Sequence, residues 1–149
     1  MKRILFVCHG NICRSPMAEF MLKAMVRERG LQEQFYIESA AVSSEEMGNA
    51  IYPPAKSCLK RHNVWFDPDK RARRITADDY WRFDMIICMD ASNLRLLKWI
   101  IPSDSEGKVY LMMSFAGLSR DVADPWYTGD FETTYNDIKL GCEGLLSGI

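Results

Sequence analysis

The feature that most constrains the fold of this chain is a strand, a tight loop and a helix near its amino terminus. Residues 3–7 form a short apolar run, which is typical of a strand buried in a parallel sheet. After Pro16, apolar side chains recur with the spacing of an amphipathic helix, at Met17, Phe20, Met21, Ala24 and Met25. A loop between a strand and a helix presents backbone N–H groups and a helix amino terminus to an anion. This segment therefore predicts an anion-binding site.

Strand-like runs alternate with helical patterns along the rest of the chain. Further strands are predicted at residues 35–39, 85–89 and 108–112. Further helices are predicted at residues 53–62, 76–83, 91–101 and from 131 onward. Residues 64–75 and 114–129 are predicted to be irregular. This alternation indicates an α/β fold, a three-layer sandwich with a four-stranded parallel sheet and helices on both faces.

Composition excludes several classes of protein. The 149 residues are 48% hydrophobic and 26% charged, with a net charge of −1, so we expect one domain over residues 1–149 and no nucleic-acid or membrane surface. The first strand is too short for a signal peptide, and no run approaches a membrane span. Five scattered cysteines argue against a disulfide framework, so a cytoplasmic location is expected.

A thiol and a guanidinium frame the first loop. Cys8 ends the strand, where the helix dipole and loop N–H groups would favour its thiolate, and Arg14 has a planar fork that suits two phosphate oxygens. Gly10 and Asn11 tolerate the unusual backbone angles of a tight cradle. Ser15 can donate its hydroxyl to the thiolate. Together these residues predict nucleophilic chemistry on a phosphate ester.

The spacing Cys-x5-Arg alone is weak evidence, because a buried cysteine followed by a solvated arginine would match it equally well. The surroundings of Cys8 in the sequence make this spacing stronger evidence. None of the other four cysteines has an arginine six residues on, and only Cys8 lies between a predicted strand and a predicted helix.

A thiolate mechanism also needs an acid to protonate the departing oxygen. Asp124 is the best candidate, because Pro125 stiffens its loop and the next residues, Trp126 and Tyr127, offer apolar walls for an aromatic substrate. An Asp-Pro pair by itself is more often only a turn.

These motifs together resemble the low-molecular-weight protein tyrosine phosphatases. Residues 8–19 are similar to the signature loop of that family. Ser39-Ala40, Met89-Asp90-x-Ser92-Asn93 and Asp124-Pro125-Trp126 follow in the family's order. The resemblance covers nearly the whole chain. It implies the strand order 2-1-3-4 and two-step hydrolysis of phosphotyrosine through a phosphocysteine. We expect no cofactor, and no metal, because His9 and His62 are the only histidines of the chain and Cys8 is committed to the reaction.

The resemblance also implies a role for each matching residue. Cys8 would be the nucleophile, Arg14 would bind phosphate, and Asp124 would act first as acid and then as base. Ser39 would support the loop, and Asp90 would cap a helix and order the site. Substrate would contact His9, Gly10, Asn11, Ile12, Cys13, Ser15, Trp126 and Tyr127. A reversible Cys8–Cys13 disulfide is implied as well, and a packed Cys13 thiol without redox use is the alternative. The expected partners are a phosphotyrosine-containing protein and a phosphate or other oxyanion, and the chain is expected to be a monomer or weak dimer.

Two positions depart from the family pattern. Glu45-Glu46-Met47 stands on the rim where many members have an aromatic residue, which would disfavour acidic phosphotyrosine peptides. Lys70 stands near a position where many members have a histidine that joins the serine network. We expect Lys70 to be solvated, so the resemblance implies less about the network around Ser15 than about the rest of the site.

Three other functions are compatible with the loop. A protein-arginine phosphatase of this family would have threonine where this chain has Ile12. A thiol-dependent arsenate reductase would need two further cysteines near the loop, whereas Cys88 is predicted to lie within a strand. A non-catalytic phosphate-binding module is disfavoured because every reactive residue is present.

Overall fold

The computed structural model describes residues 1–148 and contains one parallel sheet within them. Its strands are β1 (Lys2–Cys8), β2 (Phe35–Ala41), β3 (Met85–Cys88) and β4 (Val109–Leu111). Their spatial order is β2-β1-β3-β4, which confirms the predicted order. The α-helices of the described chain are α1 (Arg14–Glu28), α2 (Pro53–Arg61), α3 (Asp79–Arg82), α4 (Ala91–Leu97), α5 (Pro125–Thr128) and α6 (Phe131–Ser147). None of the helices within residues 1–148 has the length and apolar character needed to span a bilayer.

The central strand β1 supplies side chains to two separate cores. Successive strand residues point to opposite faces of a sheet. Ile4 and Phe6 belong to the core that includes residues of α1, α2 and α6, whereas Leu5 and Val7 belong to the core that includes residues of α3 and α4. Helices therefore cover both faces of the sheet, as predicted, and β1 is an apolar run because neither of its faces meets water.

The carboxyl ends of β1, β2 and β3 lie at one edge of the sheet. Cys8 is opposite Ala41 in the β1–β2 register, and Val7 is opposite Cys88 in the β1–β3 register. Helices α1 and α4 begin at this same edge, directly after β1 and β3. Three loops and two helix amino termini therefore meet around Cys8, which is where open parallel sheets bind ligands.

The largest differences from the prediction lie in two segments. Helix α4 ends at Leu97 instead of residue 101, because the amides of Trp99 and Ile100 bond carbonyls three residues back and tighten the chain into a turn. The segment 114–129 is not wholly irregular, since it contains the end of a 3₁₀ turn and all of α5. Both of these elements end at a glycine with positive φ, Gly117 and Gly129. The segment 64–75 has no helix or strand of its own, as predicted.

Gly144 lets α6 pack closely on the 3₁₀ turn Met112–Ala116. A Cβ atom at Gly144 would lie 1.9 Å from the carbonyl oxygen of Phe115, which is backbone and cannot rotate away. We expect Gly144→Ala to lower the free energy of unfolding by about 1–3 kcal/mol, despite the better helix propensity of alanine. Urea unfolding of both proteins measures this effect.

Gly148→Ala is the matched control, because a Cβ at that helix end would meet nothing closer than 3.7 Å. An equal effect of both substitutions would show that close packing at Gly144 is not the cause.

Candidate active site

The loop between β1 and α1 folds back over the end of β1. The N–H of Asn11 donates to the Cys8 Sγ atom at 3.3 Å, and Asn11 adopts a φ of 60°, a left-handed conformation that asparagine tolerates better than most residues. The carbonyls of Cys8 and His9 accept from Val42 and Ser43, which ties the loop to the segment after β2. Cys8 lies at the base of this loop and is buried, with an exposed fraction of 3%.

The Asn11 side chain connects three parts of the chain below the loop. Its Nδ2 atom donates to the Ser15 Oγ atom at 2.7 Å and to the Ser39 Oγ atom at 3.0 Å. Its Oδ1 atom accepts from the backbone N–H of Arg73 at 3.2 Å. These bonds hold the strained Asn11 backbone in place, and all three side chains of this network are buried.

The hydrogen bonds of Ser15 determine where its own proton can go. Because Ser15 Oγ accepts from Asn11, its hydrogen is free for one acceptor. The candidates are the Cys8 Sγ atom at 3.1 Å and the Ala40 carbonyl at 3.4 Å. The sulfur is the nearer of the two, so this geometry directs the hydroxyl toward Cys8.

Lys70 is not solvated, so that expectation was wrong. Its Nζ atom donates to the Ser39 carbonyl at 3.1 Å and lies 3.3 Å from Glu19 Oε1, with a side chain only 14% exposed. Glu19, itself buried, accepts the Ser39 hydroxyl at 2.6 Å. Glu19 and Lys70 therefore extend the network from Asn11 and Ser39, and the earlier prediction missed Glu19.

We expect Lys70→Met to weaken this network. The Ser39 carbonyl and the Glu19 carboxylate would each lose a charged partner, which should reduce kcat roughly fivefold, equivalent to about 1 kcal/mol. Steady-state kinetics with an aryl phosphate measures the change.

Lys23→Met is the matched control, because Lys23 contacts Glu19 at 2.7 Å from a more exposed position on α1 and has no hydrogen bond to Ser39. If the two variants slow turnover equally, the contact with Ser39 has no special importance.

Arg14 lies under the cavity between two carboxylates. Its guanidinium contacts Asp90 Oδ2 at 2.8 Å, Asp124 Oδ2 at 3.3 Å and the Val122 carbonyl at 3.3 Å, and its side chain is 4% exposed. Burial would lower the pKa of Arg14, but Cys8, Asp124 and Asp90 together raise it above the usual value. The guanidinium is thus fixed in orientation and stays charged.

Asp90 has two contacts that matter for the site. Its Oδ1 atom accepts from the Asn93 N–H at 2.7 Å, which caps α4, while its Oδ2 atom holds Arg14. The Asn93 Oδ1 atom accepts in return from the N–H groups of Met89 and Asp90, which completes a capping box. Asp90 therefore links the end of β3 to the guanidinium.

Asp124 directly precedes α5 as its N-cap and faces Arg14. One carboxylate oxygen accepts from the Trp126 N–H at 3.1 Å, and the other contacts Arg14. Its side chain is 29% exposed, so it lies at the boundary between the buried floor and solvent. A carboxyl group in this position can exchange a proton with a group bound in the cavity.

Helix α6 holds the segment before Asp124. Asp137 accepts from the Ala123 N–H at 3.0 Å, and Thr134 donates to the Ala123 carbonyl at 2.8 Å. Both side chains are almost fully buried. The prediction from the apolar stripe of α6 did not include them, although two polar residues three positions apart beside that stripe were an available signal.

The cavity above Cys8 has a volume of about 440 Å³. Its floor includes Cys8, Gly10, Ile12, Cys13 and Arg14, and its sides include His9, Glu45, Glu46, Asp90, Asp124, Trp126 and Tyr127. Ser39, Ser15 and Asn11 lie beneath the loop instead. Trp126 packs on Tyr52 with 5.1 Å between ring centroids, and Tyr127 is 85% exposed.

Two other cysteines, Cys13 and Cys88, lie near Cys8. Burial, with smaller contributions from Cys8 and Asp124, raises the pKa of Cys13 to about 12. Burial also raises the pKa of Cys88, which lies in β3, to about 12. Both therefore remain protonated near neutral pH. Every cysteine of the chain is a free thiol in this structure.

A group with metal-ligand residue types lies elsewhere, between α2 and α6. Within residues 1–148 it is the one such group, and it consists of Cys58, His62 and Glu132. His62 and Glu132 already bond each other at 2.6 Å, and Arg61 contacts the same carboxylate at 2.9 Å. These contacts account for the arrangement without an ion.

The fold and the loop around Cys8 are those of a cysteine-dependent phosphatase. Comparison with known proteins narrows that class. The family model for low molecular weight phosphotyrosine protein phosphatase matches residues 3–149, and the chain belongs to this family.

Three relatives illustrate the similarity. The low molecular weight protein-tyrosine-phosphatase YfkJ of Bacillus subtilis is 36% identical, over 100% of this chain and 96% of that protein, and its crystal structure superimposes with a TM-score of 0.94. The low molecular weight protein tyrosine phosphatase SP-PTP of Streptococcus pyogenes is 42% identical, with a TM-score of 0.88 over 100% and 93% of the two chains. The Drosophila arginine phosphatase DARP is 35% identical, with a TM-score of 0.88 over 99% and 97%.

Proposed function

We propose that this chain hydrolyses phosphotyrosine in proteins, and aryl phosphates in general, through a phosphocysteine on Cys8. The observation that carries the proposal is the meeting of Cys8, Arg14 and Asp124 around one cavity, with the Ser15 hydroxyl and the Asn11 N–H directed at the sulfur. Membership of the phosphatase family supports the same conclusion.

In the first step the Cys8 thiolate attacks phosphorus and the bond from phosphorus to the tyrosine oxygen breaks. Asp124 transfers its proton to that oxygen, so tyrosine leaves as a neutral phenol. Arg14 and the loop N–H groups meet the charge on the three equatorial phosphate oxygens. Asp90 keeps Arg14 in the required orientation, at 2.8 Å.

In the second step water attacks the phosphocysteine. Asp124, now a carboxylate, takes a proton from the water, and the bond between sulfur and phosphorus breaks. Inorganic phosphate leaves and the Cys8 thiolate is restored, stabilised by the Ser15 hydroxyl 3.1 Å away. The same loop would therefore bind phosphate or another oxyanion as product or inhibitor.

The walls of the cavity fit a flat, apolar leaving group. Trp126 packs against Tyr52, and the exposed ring of Tyr127 adds to the same aromatic surface. The substrate would also contact the remaining loop residues that line the cavity, which are His9, Gly10, Ile12 and Cys13. We also propose a reducing cytoplasm as the place of action, because the five cysteines are scattered and odd in number. A monomer or weak dimer remains our proposal for the oligomeric state.

We expect Asp124→Asn to slow hydrolysis in proportion to the basicity of the leaving group. Phosphotyrosine should react about 10²-fold more slowly, since general acid catalysis contributes roughly that much, whereas a nitrophenyl phosphate should be affected far less. Single-turnover kinetics with both substrates measures the difference. Equal slowing of both would remove Asp124 as the acid.

A protein-arginine phosphatase is the second candidate, because the Drosophila arginine phosphatase is 35% identical to this chain. Ile12, which lines the cavity, favours tyrosine instead, since that branch of the family carries threonine there. Turnover of matched peptides with phosphotyrosine, phosphoarginine or phosphoserine tests the proposal. Phosphotyrosine should react fastest, and faster turnover of phosphoarginine would overturn the assignment.

The two other candidates receive less support. A disulfide relay for arsenate reduction would need an accessible second thiol, and Cys88 is fully buried within β3. A non-catalytic binding module would not require an acid beside the cradle. Thioredoxin-coupled arsenate reduction at a rate comparable to phosphatase turnover would reverse this ranking.

A further inference from the structure

The mouth of the cavity carries negative charge that has no part in binding the phosphate. Glu45 and Glu46 lie on its rim, and Glu45 has a side chain 70% exposed. Within the described chain, Arg14 is the only lysine or arginine that lines the cavity, and it is buried at the floor beside two aspartates. A side chain that flanks the phosphorylated residue of a substrate therefore meets acidic groups and no exposed arginine or lysine along this lining.

The two glutamates are held in place. The Glu46 carboxylate accepts from Asn49 Nδ2 at 2.6 Å, and its Cγ lies 3.2 Å from where a Cβ on Gly10 would stand, so its stem covers the cradle loop. Glu45 contacts His9 Nε2 at 3.0 Å. Even with His9 protonated, this group of three keeps an excess negative charge.

The aromatic part of the rim suits the same kind of ligand. Trp126 is 55% exposed and Tyr127 is 85% exposed, so both keep ring surface for a substrate. Aromatic faces attract ammonium and guanidinium groups as well as flat apolar groups. The carboxylates and the aromatic rings at the mouth of this cavity thus both favour lysine or arginine beside the phosphorylated residue of the substrate.

We propose that this site selects phosphotyrosine flanked by lysine or arginine, through Glu45 and Glu46. The inference rests on the proposed phosphotyrosine hydrolysis and names its substrate class. The phosphate itself is neutralised by Arg14 and the loop amides, so the rim charges act on the neighbouring residues of the substrate.

The size of the effect follows from the exposure of the groups. One exposed ion pair changes affinity only a few-fold, and a cation over an exposed aromatic ring adds a similar factor. Two carboxylates with such a ring should therefore favour a basic peptide over an acidic one by about tenfold in kcat/KM. Salt should reduce this ratio, because exposed charges are screened.

The experiment compares two phosphotyrosine peptides of equal length, one with lysine and one with glutamate on both sides of the phosphotyrosine. The measured quantity is the ratio of their kcat/KM values at low ionic strength. Because both peptides report on the same enzyme preparation, the ratio cancels any effect of a substitution on the catalytic loop. We expect a ratio of about ten for the wild type and about two for the double variant Glu45→Gln/Glu46→Gln.

The matched control is Glu28→Gln/Glu33→Gln, which removes the same net charge at the other edge of the sheet. Glu28 is the last residue of α1, and Glu33 lies just before β2. Both are exposed, and both lie where the strands begin and not at their carboxyl ends. This variant should keep the wild-type ratio. A general effect of net charge would instead lower the ratio in both double variants and contradict the proposal.

The outcomes separate this inference from the proposed function. A wild-type ratio near one, a preference for the acidic peptide, or a ratio unchanged by Glu45→Gln/Glu46→Gln would overturn the inference alone. No turnover of either peptide would contradict phosphotyrosine hydrolysis itself, and the inference with it.

Discussion

Replacing Cys8 with serine is expected to reduce turnover of phosphotyrosine on the order of 10⁵-fold, to the limit of detection. A serine hydroxyl is not ionised near neutral pH and leaves phosphorus poorly, so both chemical steps would fail. The Ser15 and Asn11 donors, 3.1 and 3.3 Å from the sulfur, would still stabilise the loop around the smaller oxygen. The cradle should therefore still bind a phosphotyrosine peptide, which isothermal titration would measure.

Cys142→Ala is the matched control for Cys8→Ser. Cys142 is also a fully buried thiol, but it lies in α6 within the core. Its loss should lower the free energy of unfolding by about 1 kcal/mol and leave kcat near the wild-type value. Activity retained by Cys8→Ser would exclude Cys8 as the nucleophile.

Arg14→Lys should have the second largest effect, a loss of about 10³-fold in kcat/KM. A guanidinium can contact Asp90, Asp124 and two phosphate oxygens at once because its donors form a planar fork. The single ammonium of lysine cannot keep the contacts at 2.8 and 3.3 Å and also bind phosphate bidentately.

Arg27→Lys is the control for this substitution, since Arg27 is exposed in the last turn of the same helix. It should keep kcat/KM within twofold of the wild type. Circular dichroism and thermal unfolding of both variants would show whether the fold persists. If folded Arg14→Lys lost less than tenfold, bidentate binding by Arg14 would not be required.

The fold and the cradle could be predicted because their signals are local. The apolar run of β1 and the helical spacing of α1 lie within one short stretch of sequence, and the residues between them form the loop. The order of the strands followed from the resemblance of several such stretches to one family. Short-range pattern therefore determines where Cys8 and Arg14 lie relative to each other.

The position of Lys70 could not be predicted in the same way. Residues 64–75 carry no periodic pattern, and their path depends on contacts with distant elements. The bridges between Ala41 and Arg74 and between Ala50 and Arg71, with the Arg73 N–H bonded to Asn11, bring this segment beneath the loop. Only that path places a lysine beside Ser39.

Polar residues on α6 and the short α5 were missed for related reasons. Amphipathic spacing identified the buried stripe of α6, but it cannot show that Thr134 and Asp137 are buried because they bond Ala123. Four residues are too few to show helical periodicity. Asp124, Pro125 and Gly129 nevertheless have the residue types of an N-cap, a first helical position and a helix end.

The most direct test of the central claim is to trap the covalent intermediate. Asp124→Asn protein would be mixed rapidly with a nitrophenyl phosphate, which needs little acid assistance to form the intermediate but lacks the base for its breakdown. A denaturing quench, digestion and mass spectrometry would then locate the phosphate. We predict phosphate on the Cys8 sulfur of the peptide that spans the loop. Turnover with phosphate on another residue, or with no phosphoenzyme under these conditions, would contradict the mechanism.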